Sequence, residues 1–357
     1  MMQASHPPQA PSTLSQKLVR ALTGYTARTL LQGLLTIWAV ITFTFILIRK
    51  MPGNPVDIKV EQLMISQNLS YQDAYNRAAG MFDFDPDAPL LEQYLDYMWK
   101  LIRGDLGRSI TSSGTPVLDQ ILRYLPWTLF SVGVGLFISF TVGIFLGMAM
   151  AYWRGSLFDN VMTAFSSVLF GIPNYITALL IILILGVQLE WFNVGEMLGG
   201  VDQDVKAGFN YDYLRSVMKH AFLPVLTYVS ATVGGWMLTM KSSTISTLGE
   251  EYVTVAHARG LGRWRILTAY VGRNAMLPLV TRLAISIGFV VGGSVIIESI
   301  FLYPGLGKLL LQAIGSRDYT TMQGVFLVIS VAVVASNMLA DMMYGFLDPR
   351  IHVSGDR

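Results

Sequence analysis

A short charged stretch that interrupts long apolar runs contains the residues best suited to chemistry or binding. It reads EYVTVAHARGLG over residues 251–262, and Glu250 stands immediately before it. Glutamate and histidine can serve as general acids and bases, but catalysis needs further groups placed beside them. No catalytic constellation of this kind is apparent in the chain. We therefore interpret the stretch as a binding element, predict no catalytic residue, and expect a protein that is not an enzyme.

Other chemistries are excluded by residues that the sequence lacks. There is no cysteine among the 357 residues, which removes thiol catalysis, disulfides and cysteine-ligated zinc. The four histidines are scattered, at positions 6, 220, 257 and 352, so no metal site is predicted. The Gly-x-x-x-x-Gly-Lys-Ser/Thr loop that cradles phosphates is missing, so we expect no ATP or other cofactor on this chain. A net charge of +2 gives no case for nucleic acid.

The charged stretch carries the start and stop signals of one short helix over about residues 248–259. Thr247 and Glu250 have the spacing of a capping box. Gly260 stands where a left-handed residue commonly ends a helix. After Gly262, the segment RWRILTAYVGRNAM predicts a second helix that leads into the next apolar run.

The predicted helix is amphipathic, which suits a surface element. At 100° per residue its apolar arc comprises Val255, Tyr252, Ala256 and Val253. The other arc comprises His257, Glu250, Thr254, Ala258 and Glu251, and Arg259 falls on the apolar side as an exception. Two interpretations remain open from the residues alone, a loop lying on lipid headgroups and a rigid knob that docks in a groove of a partner.

Membrane helices are the elements that must position this stretch. Only 13% of the residues are charged, against about a quarter in soluble domains, and the mean hydropathy is +0.50. A span needs roughly 20 apolar residues. Six segments qualify, at about 28–48, 126–151, 161–188, 222–240, 278–299 and 324–346. Pro173 and Gly171 interrupt the third, so we expect a short helix, a kink and a longer helix there.

The basic residues set the predicted orientation. Those beside the first span, in the turn at 152–160, in the connection at 241–277 and after the last span all fall on one side, which we assign to the cytoplasm. This predicts a flexible cytoplasmic tail at 1–24, a first transmembrane helix at 25–48 and an extracytoplasmic loop region at 49–125. A transmembrane core follows at 126–348, with a cytoplasmic C-terminus at 349–357.

The charged stretch resembles the EAA motif of ABC-importer permeases, in which a helix led by an acidic residue runs into Ala-x-x-x-Gly. Glu251, Ala256 and Gly260 hold its landmark positions. The general motif ends in Leu-Pro, whereas this chain has Gly272–Arg273–Asn274, which looks like the form found in one subgroup. The resemblance implies that residues of about 248–262 form a coupling helix that docks on an ATP-binding subunit, through Glu250, Glu251, Ala256, His257, Arg259, Gly260 and Leu261.

Further motifs resemble the oligopeptide/dipeptide/nickel type of ABC-importer permease, in its first-permease branch. They are RKMPGNP at 49–55, LLEQYLDYMWKLIRGDLGRSI at 90–110, ESIFLYPGLGKLLLQAIGSRDY at 298–319 and YGFLDPRI at 344–351. The resemblance does not cover residues 1–24 and 56–85. It implies an all-α membrane protein with the six transmembrane helices of the type I ABC-importer permease fold and a long extracytoplasmic loop after helix 1.

Family membership would also imply partners and a mechanism. The expected partners are a second homologous permease, two ATP-binding subunits that bind ATP and magnesium, an extracytoplasmic substrate-binding protein and the lipid bilayer. The expected location is the plasma membrane of a prokaryote, the inner membrane where there are two. The implied mechanism is alternating access between inward-open and outward-open states.

Several residues within or near the spans have two interpretations each. Pro173 and Asn174 either line the translocation path or form a packing kink. Glu298 either faces that path or ties a backbone amide of the PGLG turn, the interpretation we favour. Arg282 either reaches the headgroups, which we favour, or lines an inner gate. Pro304, Gly305 and Gly307 predict a turn in an external hairpin.

The substrate class stays open within this group. Di- and oligopeptides are the expected cargo, with oligosaccharides or nickel chelates as alternatives. A stand-alone channel or secondary transporter would require inverted repeats and coupling-ion carboxylates at mid-membrane, and neither is seen. An intramembrane enzyme would require paired catalytic groups at depth, and none is evident.

Overall fold

The protein is almost entirely helical where its structure is described. The computed structural model describes residues 25–50, 55–79, 88–112, 114–208, 210–292 and 295–347. The predictions for the tail 1–24 and the C-terminus 349–357 therefore lie outside the described residues. Within the described ranges the only strand-like pairing is an isolated bridge between Arg108 and Pro116.

The N-terminal half contains one very long helix and several short ones. In chain order they are α1 Tyr25–Arg49, α2 Pro55–Gln67, α3 Tyr71–Ala79, α4 Leu90–Ile102, α5 Val117–Tyr152, α6 Leu157–Gly171, α7 Asn174–Ile181 and α8 Val194–Met197, with a π-helical continuation of α7 over Ile182–Gln188.

The C-terminal half repeats the pattern of long rods joined by short helices. In chain order its helices are α9 Tyr211–Leu248, α10 Glu251–Ala258, α11 Arg263–Arg265, α12 Arg273–Ala275, α13 Leu277–Gly292, α14 Val295–Ile300, α15 Leu306–Gly315 and α16 Tyr319–Leu347, with a π-helical segment Ile266–Gly272 between α11 and α12.

The predicted count of six spans is not reproduced by helix length and apolarity alone. In the part of the chain that the structure describes, α1, α5, α9 and α16 are each long and apolar enough to cross a membrane. A fifth span exists if α6 and the helix that begins at Asn174 count as one, although they are bent by 107° at their junction. The segment predicted at 278–299 forms α13, of 16 residues, followed by the short α14. The break at Pro173 is confirmed, but it separates two helical stretches of similar length.

The predicted loops hold more helix than the sequence suggested. Helices α2, α3, α4 and the first two turns of α5 lie within 49–125, and α9 begins at Tyr211 inside the connection at 189–221. The connection at 300–323, expected to be hairpin-like, contains the ten-residue helix α15. These segments are helical because apolar faces on short helices can pack on each other or on the bundle, as Val56, Val60 and Ala74 do between α2 and α3.

Helix α9 is the central rod, and its most extensive contact is with α5. Glycines on α5 allow this contact to be close. A Cβ atom on Gly143 would stand 2.3 Å from Cβ of Trp236, and one on Gly147 would stand 2.6 Å from Cβ of Met240. Small residues that admit a neighbouring backbone are a common device of membrane helix pairs. Large apolar side chains such as Leu31 and Phe137 are exposed on the outside of the bundle, as lipid contact requires.

Candidate functional site

The predicted coupling helix is α10, and it starts only two residues after the long rod α9 ends. Gly249 and Glu250 form the link, and Glu250 adopts the extended backbone of an N-cap residue. The predicted capping box is wrong. Thr247 is still inside α9, where its hydroxyl donates to the carbonyl of Ser243 at 2.8 Å, and no side chain caps α10. The rod continues past the residue that the sequence pattern suggested as a cap.

The end of α10 agrees with the prediction of a glycine stop. Gly260 has a φ of +72°, in the left-handed region that favours glycine. Its amide donates to the carbonyl of His257 at 2.9 Å, and the amide of Leu261 donates to the carbonyl of Ala256 at 3.3 Å. These two bonds define a Schellman motif, which satisfies the last carbonyls of the helix and turns the chain sharply.

The faces of α10 differ from the predicted arcs. Val253 and Ala256 are buried against Ile266 and Val271 of the following π-helical segment. Tyr252 is 38% exposed and Val255 is 57% exposed, although both were placed on the apolar arc. The short link to α9 fixes the roll of the helix, so only one narrow face packs inward. Apolar Val255 and its neighbour Tyr252 are thus presented outward, which favours a docking surface.

The remaining predicted docking residues divide between the two faces. Glu250, Glu251, His257, Arg259 and Gly260 are exposed. Ala256 is buried and Leu261 is half-buried, so these two support the helix and offer little surface. The second helix predicted after Gly262 is broken into α11, a π-helical segment and α12. Within this region the side-chain amide of Asn274 donates to the hydroxyl of Tyr252 at 2.8 Å. This bond fixes the position of the Tyr252 side chain on the exposed face of α10.

A cleft of about 270 Å³ lies at the break between α6 and α7. Asn174, predicted for the translocation path, lines it, whereas Pro173 is the N-cap of α7. Arg282 of α13 also lines the cleft. The cleft is further lined by Val132, Leu136, Phe170, Tyr228, Ala231, Thr232, Trp236, Ser286 and Val290.

The position of Arg282 differs from the favoured prediction of a side chain reaching the headgroups. Its guanidinium carbon lies 5.0 Å from the centre of the Trp236 ring, and Nη1 donates to Oγ1 of Thr239 at 2.9 Å. Both partners belong to α9, so the cation is directed across the bundle. The favoured interpretation is therefore not supported, and the alternative, that Arg282 lines an inner gate, stays a prediction.

Glu298 is a structural tie, as favoured from the sequence. Its carboxylate is fully buried and accepts from the amide of Gly307 at 2.7 Å and from the hydroxyl of Thr128 at 2.8 Å. The amide of Leu306 donates in turn to the hydroxyl of Thr128 at 2.8 Å. The carboxylate thus sits at the N-terminus of α15, where a negative charge is favoured. The Glu298 carboxylate is therefore bonded within the 298–307 segment, and Glu298 is not among the residues that line the cleft described above.

The predicted turn residues pack tightly around that carboxylate. A Cβ atom on Gly305 would stand 2.3 Å from the Glu298 carboxyl carbon, and one on Gly307 would stand 2.5 Å from the Val295 Cα. A Cβ atom on Gly200 would stand 2.7 Å from the Pro304 ring, so the turn also packs against the 199–205 loop. The turn is therefore closely packed, and neither Gly305 nor Gly307 has room for a side chain.

Two further side-chain ties were missed from the sequence. Buried Asp318 accepts from the hydroxyl of Thr111 at 2.9 Å and from the amide of Thr321 at 3.1 Å, so it caps α16 and fastens the loop before α5. Lys241, near the C-terminal end of α9, and Asp159, near the N-terminal end of α6, form an ion pair of 2.6 Å. The cap could have been predicted, because an aspartate directly before a helix is a common N-cap residue. The ion pair could not, because its two residues lie 82 positions apart in the sequence.

The described residues hold no group of three or more His, Asp or Glu side chains that could bind a metal ion. The geometry defines a multi-pass helical membrane protein. A short helix that ends in a glycine turn stands at one end of its central rod, and a mainly apolar cleft with a few polar groups lies in its bundle.

Comparison with known proteins places this architecture in a family. Residues 143–353 match the family described as binding-protein-dependent transport system inner membrane component, and the chain belongs to it. It is therefore a permease component of an ABC transport system and not an enzyme, as predicted.

Several relatives are similar over most of this chain. The oligopeptide transport system permease protein AppB of Bacillus subtilis is 30% identical over 92% of this chain and 99% of its own length. The di/tripeptide transport system permease protein DppB of Pseudomonas aeruginosa is 31% identical over 88% and 95%. The dipeptide transport system permease protein DppB of Escherichia coli is 30% identical over 86% and 92%.

Proposed function

We propose that this chain is one of two permease subunits of an ATP-driven importer that moves di- and oligopeptides across a prokaryotic plasma membrane. A second, homologous permease completes the translocation path. Two ATP-binding subunits bind ATP and Mg²⁺ and drive alternating access, and an extracytoplasmic binding protein delivers the peptide. Both termini and α10 face the cytoplasm.

The observation that carries this proposal is the construction of α10. A helix of eight residues is joined to a rod of 38 residues by Gly249 and Glu250 alone and ends at a left-handed glycine. Its buried face is fastened by Val253 and Ala256, and its outer face presents Tyr252 and Val255. Such a rigid, partly apolar knob suits a groove on a partner and is poorly suited to a flexible surface loop.

Peptide is the proposed cargo because the relatives described above carry peptide, oligopeptide or dipeptide transport in their names and align over nearly the whole chain. No feature of the described residues favours an oligosaccharide or a nickel chelate.

Reconstitution of the complete transporter in proteoliposomes tests the proposal. With its partner permease, ATPases and binding protein, the complex is expected to accumulate labelled trialanine only when Mg²⁺ and ATP are supplied on the ATPase side. This chain purified by itself is expected to show no ATP hydrolysis. Hydrolysis by the isolated chain, or uptake that is independent of ATP, would contradict the proposal.

A further inference from the structure

Arg282 is an exposed cation that lines the cleft of the bundle, and no described carboxylate neutralises its charge. Its contacts are the Trp236 ring and the Thr239 hydroxyl, and none of the ion pairs among the described residues includes it. Arg282 lies in the helix α13, five residues into the predicted span 278–299. A charged side chain within a membrane span is costly, and those that persist mark ligand or ion pathways.

The guanidinium is held in place by neighbours that leave part of it open. The Trp236 ring lies beneath it, and a Cβ atom built on Gly235 would stand 3.5 Å from Nη2, an ordinary van der Waals distance, so the guanidinium packs directly on the backbone of α9. One donor is used by Thr239. A guanidinium has five N–H donors. Most of its donors therefore remain available to a molecule in the cleft.

A second positive feature lines the same cleft. Helix α7 begins at Asn174, directly after the break, and its N-cap Pro173 contributes no side-chain hydrogen bond. The first amides of a helix carry the positive end of its dipole. In transport proteins, the N-termini of interrupted membrane helices commonly face anionic substrate groups. Asn174 lines the cleft together with Arg282, so the two features converge on one space.

The remainder of the lining suits an amphipathic molecule. Thr232 and Ser286 add hydroxyl groups, whereas Phe170, Trp236 and Val290 form apolar walls. Few polar groups among apolar walls are typical of a small-ligand site. An arginine fork matches a carboxylate in two parallel hydrogen bonds.

We propose that this cleft binds the carboxylate of a peptide in transit, with Arg282 as the anchoring cation and the start of α7 as the second anion-binding group. This inference rests on the proposed function, since it concerns the path of the same cargo. It assigns to this permease a direct part in substrate selection, separate from that of the binding protein.

Uptake by the reconstituted transporter tests the inference with three probes. These are trialanine, trialanine amide and Ala-Glu-Ala amide, and uptake by each variant is divided by wild-type uptake of the same probe. The division cancels any preference of the unchanged binding protein. Arg282→Gln is expected to lower trialanine uptake by about tenfold, the loss of a charge-assisted hydrogen bond, and to lower trialanine amide uptake by less than about twofold. Arg282→Lys should recover part of the trialanine uptake, because it keeps the charge and loses the fork.

The glutamate-containing amide separates the two sources of a carboxylate. If Arg282→Gln lowers its uptake as much as that of trialanine, the cleft accepts a side-chain carboxylate, and if not, it selects the peptide C-terminus. Either result supports the anion site. Equal loss of all three probes, or no loss of any, would overturn it. Arg215→Gln, which removes an exposed arginine elsewhere on α9, is the matched control and should leave the ratios unchanged.

A second readout avoids delivery by the binding protein. Millimolar trialanine should raise the thermal midpoint of the purified wild-type complex more than trialanine amide does, and Arg282→Gln should remove the difference. An identical shift in the variant would overturn the inference. Failure of the proposed function is distinguishable, because the wild-type complex would then show no ATP-dependent peptide uptake at all.

Discussion

At the scale of single residues, Gly260 combines a strained backbone position with empty space. Its φ of +72° favours glycine, yet a Cβ atom there would have no neighbour within 4 Å. Apart from this backbone strain, no described residue limits the size of a side chain at this position. The position can therefore separate the needs of folding from those of docking.

Replacing Gly260 with tryptophan is expected to reduce peptide uptake by more than tenfold while membrane insertion is retained. The reason is that the added ring occupies the space next to the exposed face of α10, where the proposed ATPase groove lies. Gly260→Asn should be mild, because asparagine tolerates the left-handed region at a cost of about 1 kcal/mol. Uptake and the amount of chain in the membrane fraction are measured for both variants.

Gly104 supplies the matched control for this prediction. It lies in the loop between α4 and α5, has a φ of +76°, and a Cβ atom there would also have no neighbour within 4 Å. Gly104→Trp carries the same backbone strain and the same added volume on an element other than α10. Equal inhibition by both tryptophan variants would contradict the docking role of Gly260.

At the scale of elements, the N-terminal end of α6 and the C-terminal part of α9 are joined by the Asp159–Lys241 ion pair. The carboxylate also accepts from the amide of Gly155 at 3.0 Å, and the ammonium donates to Thr163 at 2.8 Å. The Lys241 and Asp159 side chains are 18% and 5% exposed. This pair connects the turn that follows α5 to the rod that ends at α10, so three elements next to the proposed docking surface share one polar centre.

Removing one partner of this pair should destabilise the chain strongly. Asp159→Asn or Lys241→Met leaves an uncompensated, mostly buried group, and each is expected to lower the free energy of unfolding by about 3 kcal/mol. The double variant should lose less than the sum, which a double-mutant cycle in detergent would measure.

The exposed pair Asp96–Lys100, at 3.0 Å, is the control. Breaking it should lower the free energy of unfolding by only about 0.3–0.5 kcal/mol, since both groups are solvated and one helical turn apart. If Asp159→Asn lowers the free energy of unfolding no more than Asp96→Asn does, the Asp159–Lys241 pair does not join these helices as described.

The sequence predicted where some helices break or end, but not which face of a helix packs inward. The α6–α7 break and the end of α10 could be read because Pro173 and Gly260 act through their own backbones. The roll of α10 could not, because it depends on a two-residue link and on contacts with Ile266 and Val271. The direction of Arg282 likewise depends on Trp236 and Thr239, which lie on another helix.

At the scale of the whole molecule, the number of spans decides the side on which the tails lie. Helix length and apolarity support four spans or five among the described residues, whereas the orientation derived from basic residues needs an even number. The 16 residues of α13 are fewer than the roughly 20 that a span requires, so six spans require α13 and the six residues of α14 to form one span together. Six spans place both tails in the cytoplasm, and five would place them on opposite sides.

Single-cysteine labelling is expected to decide between these arrangements, and the absence of native cysteine makes every introduced thiol unique. A membrane-impermeant maleimide should label Arg77→Cys and Lys206→Cys in intact cells. Ser12→Cys, Arg154→Cys and Ser354→Cys should react only after the membrane is opened. Labelling of one tail variant and not the other in intact cells would contradict six spans.

The glycine-lined contact between α5 and α9 has a mechanical consequence. With Trp236 and Met240 fitted against Gly143 and Gly147, the two helices cannot slide past each other without steric clash. The pair is therefore expected to move as one unit, and α9 is about 57 Å long at 1.5 Å per residue over its 38 residues, with Pro224 inside it. In the proposed importer, a small tilt imposed at the end of α9 next to α10 becomes a larger displacement at its other end, so a small movement of the proposed ATP-binding subunits would suffice to open a gate on the opposite face.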